Sequence, residues 1–403
     1  MLQMRTTRRA PLLALLVIGL AACGGSAAPA SYASPPVSAA PAASASAKPA
    51  GSAAAKPAAS GTANDSSATL EQLIVGAKKE TTLKTSWSST SFGGSEGIND
   101  LVAQIDKKYG LTVKAQFTPG IDMQSLMTKI VQEAAAGQPA TSDVELGNAQ
   151  TALEGLNKKA FRTYDWKSLV GRPVPADASG KFDPYGQGGS LAFAADVTGV
   201  EYNKDLLKGD LIPHKLNDLL KPGLNGKIAS TPYVAGWREF ATPDMYGEQF
   251  MANYLKELSP SISGLIRCGE EQRLSSGEFW LLAMDCGGNN PLRAAADGLP
   301  IDEVVLDDAT VVHSDYAGVP VNSSAPNTAA LVVAYLDTAE GQAWLYKYNF
   351  DDLYTFPESH AAAKVKAVRS SGGKVLVDSP EWLNSIPNFI QTQKALQLIL
   401  AKK

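Results

Sequence analysis

From Leu70 onward the chain alternates short β-type runs with helical patterns, and this alternation constrains the fold more than any single motif. Leu70, Leu73, Ile74 and Ala77 recur at helical spacing, and Thr81–Ser86 then reads as a strand. A turn-rich stretch over 87–97 precedes a helix over Ile98–Tyr109 that Gly110 stops. A strand over Leu111–Phe117 is broken by Thr118-Pro119-Gly120, and a helix over Met123–Ala136 is closed by Gly137. A short strand at Asp143–Leu146 leads through Gly147-Asn148-Ala149-Gln150 into a helix from Thr151. The pattern predicts an α/β fold with a mostly parallel sheet. After an extended apolar stretch, Ser190–Tyr202, it restarts with a short helix at Leu216–Leu220, a strand at Ile228, and helices over Met245–Leu258 and Pro291–Asp297. His313–Val321 is extended again, and helices are expected over Thr328–Tyr335, Glu340–Tyr348 and Trp382–Leu400.

The N-terminal stretch bears on compartment. Arg5, Arg8 and Arg9 precede an apolar run, Pro11–Leu20, that is too short to span a bilayer and has the shape of a secretory h-region. Leu20-Ala21-Ala22-Cys23 resembles the lipobox of bacterial lipoprotein signal peptides. That resemblance implies cleavage before Cys23, lipidation of its sulfur, and a protein held to a membrane outside the cytoplasm by acyl chains. Residues 24–67 are mostly Ala, Pro, Ser and Gly, too poor in large apolar residues to offset the entropy of ordering them. The segment reads as a disordered tether with a reach of at most about 150 Å.

Net charge is −4, which argues against a nucleic-acid surface. His214, His313 and His360 are scattered, without metal-ligand spacing, and no cofactor motif is present. With Cys23 assigned to the lipobox, Cys268 and Cys286 remain; in an exported chain they either form one disulfide or stay two separate thiols.

Five segments stand out: Leu73-Ile74-Val75-Gly76-Ala77-Lys78-Lys79-Glu80; Lys107-Lys108-Tyr109-Gly110-Leu111-Thr112-Val113; Ala134-Ala135-Ala136-Gly137-Gln138-Pro139 with Ser142-Asp143-Val144; Leu224-Asn225-Gly226-Lys227-Ile228; and Ser324-Ala325-Pro326-Asn327-Thr328-Ala329 with Thr338-Ala339-Glu340-Gly341-Gln342. In this order they resemble the extracellular solute-binding proteins of ABC importers, in the subgroup of iron(III)-, thiamine- and phosphonate-type binders. The resemblance implies a two-lobe periplasmic-binding-protein fold, type II-like, with two crossover strands and ligand in the cleft between the lobes. The implied division is a signal peptide over 1–22, a tether over 23–68, lobe one over 69–200 and 316–403, and lobe two over 201–315. The crossovers fall near Gly199–Asn203 and Ser314–Val319. The implied function is capture of a small polar solute by a membrane-anchored monomer that delivers it to an ABC permease, without catalysis.

In open α/β sheets ligands sit at the carboxyl ends of strands. That rule selects Ser86, Trp87, Ser88, Ser89 and Thr90 as hydroxyl and aromatic contacts, with Asn148 and Gln150 as amide contacts. In the second lobe it selects Thr231, Tyr233 and Trp237, with Arg238 as a possible anion partner, and Asn289, which with Asn290 could instead cap the next helix. Tyr316 faces the cleft if the resemblance holds. Two alternatives stand beside the receptor. A ferric-iron binder would want adjacent tyrosines, yet the chain has only Tyr346 and Tyr348 on one helix. A thiaminase-like enzyme on the same fold would need a nucleophile such as Cys286 with a base, and no histidine is patterned toward it.

Overall fold

A computed structural model describes residues 64–89, 91–120, 122–172 and 182–401. Cys23, tether residues 24–63 and Thr90 lie outside these residues, whereas the end of the expected tether is fastened to the fold, Asp65 taking the Arg162 guanidinium at 2.7 Å and giving its N–H to the Thr163 carbonyl at 2.8 Å. The strands are β1 (Thr82–Trp87), β2 (Lys114–Pro119), β3 (Glu145–Asn148), β4 (Ser190–Val197), β5 (Val200–Asn203), β6 (Ile228–Ser230), β7 (Ile262–Leu265), β8 (Leu281–Ala283), β9 (Ile301–Val304), β10 (Ala309–Gly318) and β11 (Lys374–Val377). β1 and β2 pair parallel; β10 pairs with β3, β4 and β11; and β7-β6-β8-β5-β9 form one five-stranded sheet.

The sheets are mixed, not mostly parallel. β10 runs antiparallel to β3 and β4, and β5 antiparallel to β8 and β9. The reason is the return of the chain: β4 leaves the first lobe and β10 comes back along it, so the two must be antiparallel. β4 ends at Val197 and β5, beginning at Val200, already belongs to the second sheet. β10 carries Ala309 and Val311 in the core of the second lobe and Ala317 in that of the first. The two crossovers are therefore adjacent strands, paired from Val312↔Val197 to Gly318↔Ser190 with a register shift at Asp315/Tyr316.

Local signals explain most elements. The helix Leu70–Ala77 opens with a capping box between Thr69 and Gln72 and buries Leu73 and Ala77. The helix Gly94–Tyr109 buries Ile98, Leu101, Val102 and Ile105, at i, i+3, i+4 and i+7, and ends at left-handed Gly110. It starts four residues before the expected Ile98. Tertiary packing carries that extra turn: the Trp344 indole N–H donates to the Gly97 carbonyl at 3.0 Å. The expected single helix over Trp382–Leu400 is two, Pro380–Ser385 and Phe389–Leu400. Pro387 has no N–H and pushes Ile386 into extended conformation, and Asn388 is left-handed.

Three of the five resembling segments are structural fastenings. Glu80 accepts from the N–H groups of Asn327 (3.1 Å) and Thr328 (2.7 Å) and from both their side chains, at the start of helix Pro326–Leu336. Buried Asp143 accepts from the N–H groups of Lys84 (2.7 Å), Ser324 (2.7 Å) and Ala325 (3.2 Å). Gly341 packs against the Tyr335 carbonyl so closely that a Cβ would lie 2.1 Å from its oxygen.

One hydrophobic core joins Leu73–Val113 to Ala317–Leu345, and a second runs from Val200 to Val311. The second core also holds Leu376, Trp382, Phe389, Leu396 and Leu400. The last helix thus packs on the second lobe, whereas the sequence division returned all of 316–403 to the first. Polar ties hold it there: Gln397 donates to the Pro232 carbonyl (3.0 Å), and Arg238 to Gln393 (3.2 Å).

Candidate functional site

A cavity of about 680 Å³ lies between the two cores, above the paired crossover strands. Its floor is β4 and β10. Side chains alternate along a strand, so His313 and Asp315 share one face of β10, and Asp196 lies across from His313 on β4. Asp378, just past β11, closes the floor: its carboxylate takes the His313 Nδ1 hydrogen bond at 2.8 Å and the Ser314 N–H at 2.7 Å.

The first-lobe wall is Ser91 and Phe92, Met123 and Gln124 at one helix start, Asn148, Ala149 and Gln150 at another, and Asn349. The Asn148 side-chain oxygen Oδ1 is committed to capping, accepting from the N–H groups of Gln150 (3.0 Å) and Thr151 (3.1 Å). Its amide is left for the cleft.

The second-lobe wall is Tyr233, Arg238 with Glu239, Asn289, Asn290 and Arg293, together with a disulfide. Cys268 and Cys286 are bridged, with Cα atoms 6.0 Å apart. The bridge joins the loop after β7 to the loop after β8. The Tyr233 hydroxyl donates to the Cys268 sulfur (2.8 Å) and accepts from the Cys268 N–H (2.9 Å), so the aromatic wall is fastened to the bridge. One residue past Cys286, Gly287 (φ +129°) passes so close to Asp196 that a Cβ would sit 2.2 Å from the aspartate's own Cβ. Only glycine lets this loop of the second lobe reach the crossover strand.

The electrostatics are those of a desolvated carboxylate floor. Burial first, then Asp351 and Asp315, holds the Asp196 carboxyl well above its usual range. Burial, then Asp351 and Asp378, does the same to Asp315. Burial would push the His313 imidazolium down, but the hydrogen bond and charge of Asp378 outweigh it and the net shift is upward.

Of the residues singled out in the sequence, the structure brings Asn148, Tyr233 and Asn289 to the cavity wall, along with Gln150, Arg238 and Asn290. The rest lie elsewhere for identifiable reasons. Trp87 is buried in the first core, its ring 5.7 Å from Phe92 and 5.6 Å from Phe117. Ser86 is buried with its N–H on the Ser142 hydroxyl (3.1 Å), and Ser88 and Ser89 are outside the cavity lining. The loop meets the cavity one step later, through Ser91 and Phe92. Thr231 is buried and accepts from the Ala235 N–H (3.0 Å); Trp237 is buried with its indole N–H on the Ser230 hydroxyl (3.0 Å). Tyr316 points away from the cleft, its hydroxyl on the Asp183 carbonyl (3.0 Å), because it has the opposite strand parity to His313 and Asp315. Asn289 does not cap its helix. Gly288 is the N-cap without a side-chain bond, and the Asn289 amide donates to Asp351 (3.3 Å).

Sequence reasoning missed Asp196, Glu239, Arg293, His313, Asp315 and Asp378. Charged residues at alternate positions of an otherwise apolar extended run, His313 and Asp315 in Ala309–Gly318, were the available signal. Tyr346 stacks on His360 (4.0 Å between centroids) and Tyr348 packs on Trp344 (5.7 Å); neither lines the cavity. Among the described residues no group of three His, Cys, Asp or Glu side chains is placed to hold a metal ion.

Two α/β lobes, paired crossover strands and a polar cleft between them define the two-lobe class of solute-binding folds. A family model described as bacterial extracellular solute-binding protein matches residues 100–368, and the chain belongs to that family. The family places it outside the cytoplasm, among transport proteins. Solved structures give the same fold. A substrate-binding protein of an ABC transporter from Agrobacterium tumefaciens aligns with TM-score 0.60 at 15% identity, over 81% of this chain and 96% of that one. A spermidine/putrescine ABC transporter substrate-binding protein from Streptococcus pneumoniae aligns with TM-score 0.57 at 15% identity, over 79% and 100%. The periplasmic binding protein AfuA from Actinobacillus pleuropneumoniae, with fructose-6-phosphate bound, aligns with TM-score 0.54 at 20% identity, over 80% and 97%. No curated protein matches the chain in sequence.

Proposed function

We propose that this chain is the receptor of an ABC importer, anchored through a lipid on Cys23, which captures a small polar solute between its lobes and delivers it to the permease. One observation carries the reading: a cavity of about 680 Å³ walled by both lobes and floored by the two crossover strands. Such a cavity can close only by rotation about those strands, and a solute touching both walls would favour the closed form. Closure is what a permease would recognise. The lipobox-like Leu20-Ala21-Ala22-Cys23 and the Ala/Pro-rich tether support an anchored, short-range receptor.

The test is a thermal-shift screen of small solutes with mass spectrometry of whatever co-purifies. A true ligand at 100 times its Kd stabilises by about 2.7 kcal/mol and is recovered unchanged. Consumption of the solute on incubation would sink the receptor reading in favour of an enzyme, and its nucleophile would not be Cys286, whose sulfur is bridged to Cys268. For the anchor, Cys23→Ala should move the protein from the membrane fraction to the soluble fraction; a variant that stays membrane-bound refutes lipidation there.

A further inference from the structure

The charged groups facing the cavity divide into those with a partner and those without. Arg238 pairs with Glu239, and His313 with Asp378 at 2.8 Å. Asp196 shares a hydrogen bond with the Asp351 carboxyl. Two groups remain. Arg293, on the second-lobe wall, donates to the Asn349 amide oxygen at 2.9 Å and has no carboxylate within ion-pair distance among the described residues. Asp315, on the floor, is only 9% exposed and makes no side-chain hydrogen bond among the described residues. Among the described residues Asp315 is a nearly buried carboxyl without a hydrogen-bond partner and Arg293 a half-buried cation without an ion-pair partner, so both gain most from a ligand that supplies one.

We infer that the captured solute is amphoteric, with an anionic group held by Arg293 and an ammonium group held by Asp315; this rests on the receptor reading above. Independent features mark each end. Arg293 lies one turn into helix Asn289–Ala296, whose N-cap Gly288 makes no side-chain bond, and Asn289 and Asn290 of that first turn line the same cavity, so uncapped N–H groups at the helix start would favour an anion there. Asp315 is ringed by further carboxylates, Asp351, Asp378, Glu145 and Asp196, against the single imidazole His313. A floor so rich in acidic groups gains more from an ammonium, which stabilises a carboxylate there, than from a neutral hydroxyl. A dianion would meet repulsion on the floor, and a diamine would meet it at Arg293.

A proton linkage follows. Burial, then the charges of Asp351 and Asp378, hold the Asp315 carboxyl well above its usual range. An arriving ammonium favours the ionised form, so binding releases a proton and tightens as pH rises through that raised value.

The test is calorimetry on the purified chain after a thermal-shift screen spanning zwitterionic amino acids of varied chain length, dicarboxylates, diamines, neutral sugars and sugar phosphates. The expected best binder is a zwitterion. Its two singly charged isosteres, acid without amine and amine without acid, should each bind roughly 30-fold more weakly or worse. Arg293→Gln and Asp315→Asn should each cost the zwitterion a similar factor, and Asp315→Asn should abolish the proton release seen as buffer-dependent heat. A best binder that is a dianion, a diamine, a sugar or a sugar phosphate overturns the inference and leaves the receptor standing. A singly charged isostere that binds as tightly as its zwitterion overturns it too, without relying on any variant. Failure of every class to bind overturns the receptor reading and the inference with it.

Discussion

On the first-lobe wall the cavity is met by helix starts and neutral amides: Asn148 caps one helix, and Gln124 and Gln150 sit in first turns. On the second-lobe wall it is met by charge and by a covalent bridge: Arg293, the Arg238–Glu239 pair and Cys268–Cys286 fastened to Tyr233. The difference follows from what lies behind each wall. β3, which delivers Asn148, is buried in a sheet that includes both crossover strands, so its end is positioned by pairing to β10. The second-lobe loops leave strands of three or four residues, β7 and β8, too short to hold their loops by ladder bonds alone. There a disulfide supplies the positioning. The comparison teaches that rigidity at a binding wall can come from register on one side and from a cross-link on the other.

The largest expected effect probes the sheet behind the first wall. Glu145 on β3 is fully buried, and burial lifts its carboxyl from 4.5 to about 8. Below pH 4.5 both folded and unfolded chains hold the proton. Between 4.5 and 8 the unfolded chain loses it and the folded chain keeps it, so stability falls by up to about 1.4 kcal/mol per pH unit. Glu145→Gln lacks that loss. Urea melts across the pH series should show the wild-type curve falling more steeply than the variant's between those limits. Parallel curves would mean that the carboxyl ionises freely in the fold.

The second effect tests the cross-link. Replacing both Cys268 and Cys286 by serine opens a loop with a sequence separation of 18, which should cost about 3 kcal/mol. Hydrogen exchange should speed up in the loops around 266–270 and 284–288 before it does in the first lobe. Uniform acceleration across both lobes would show that the bridge stabilises the whole and does not specifically hold one wall.

The smallest effect is at the opposite wall. Asn148→Ala removes a cap and should cost about 1 kcal/mol, read as a shift in the urea midpoint with unchanged m-value. Solute affinity should fall less in this variant than in the cysteine double variant; the reverse order would put the dominant contacts on the first lobe.

Much of this fold was legible in the sequence. Helices capped by Thr69, Asp122 and Thr338, and stopped by Gly110, carry their boundaries in adjacent residues. Three of the segments that resemble the solute-binding family proved to be fastenings: Glu80 and Asp143 tie to Asn327 and Ser324, 247 and 181 residues further along the chain. The site was less legible. Choosing loops at strand ends found Asn148, Tyr233 and Asn289, because loop position depends on local punctuation. The same rule chose Trp87 and Trp237, whose large apolar rings the cores took up instead.

By itself the sequence determined the α/β alternation, the caps and the extended runs that hold β4, β5 and β10, because each depends on residues within a turn or two of one another; the first crossover, expected near Gly199–Asn203, is β4, and Val200–Asn203 is β5 of the second sheet. Only the tertiary structure decided which side chains face the cavity. Strand parity turned His313 and Asp315 inward and Tyr316 outward, and the register against β4 set Asp196 opposite His313. The close approach of Gly287 brought a second-lobe loop onto that floor. Facing is a property of register and long-range packing, and no local run of residues encodes it.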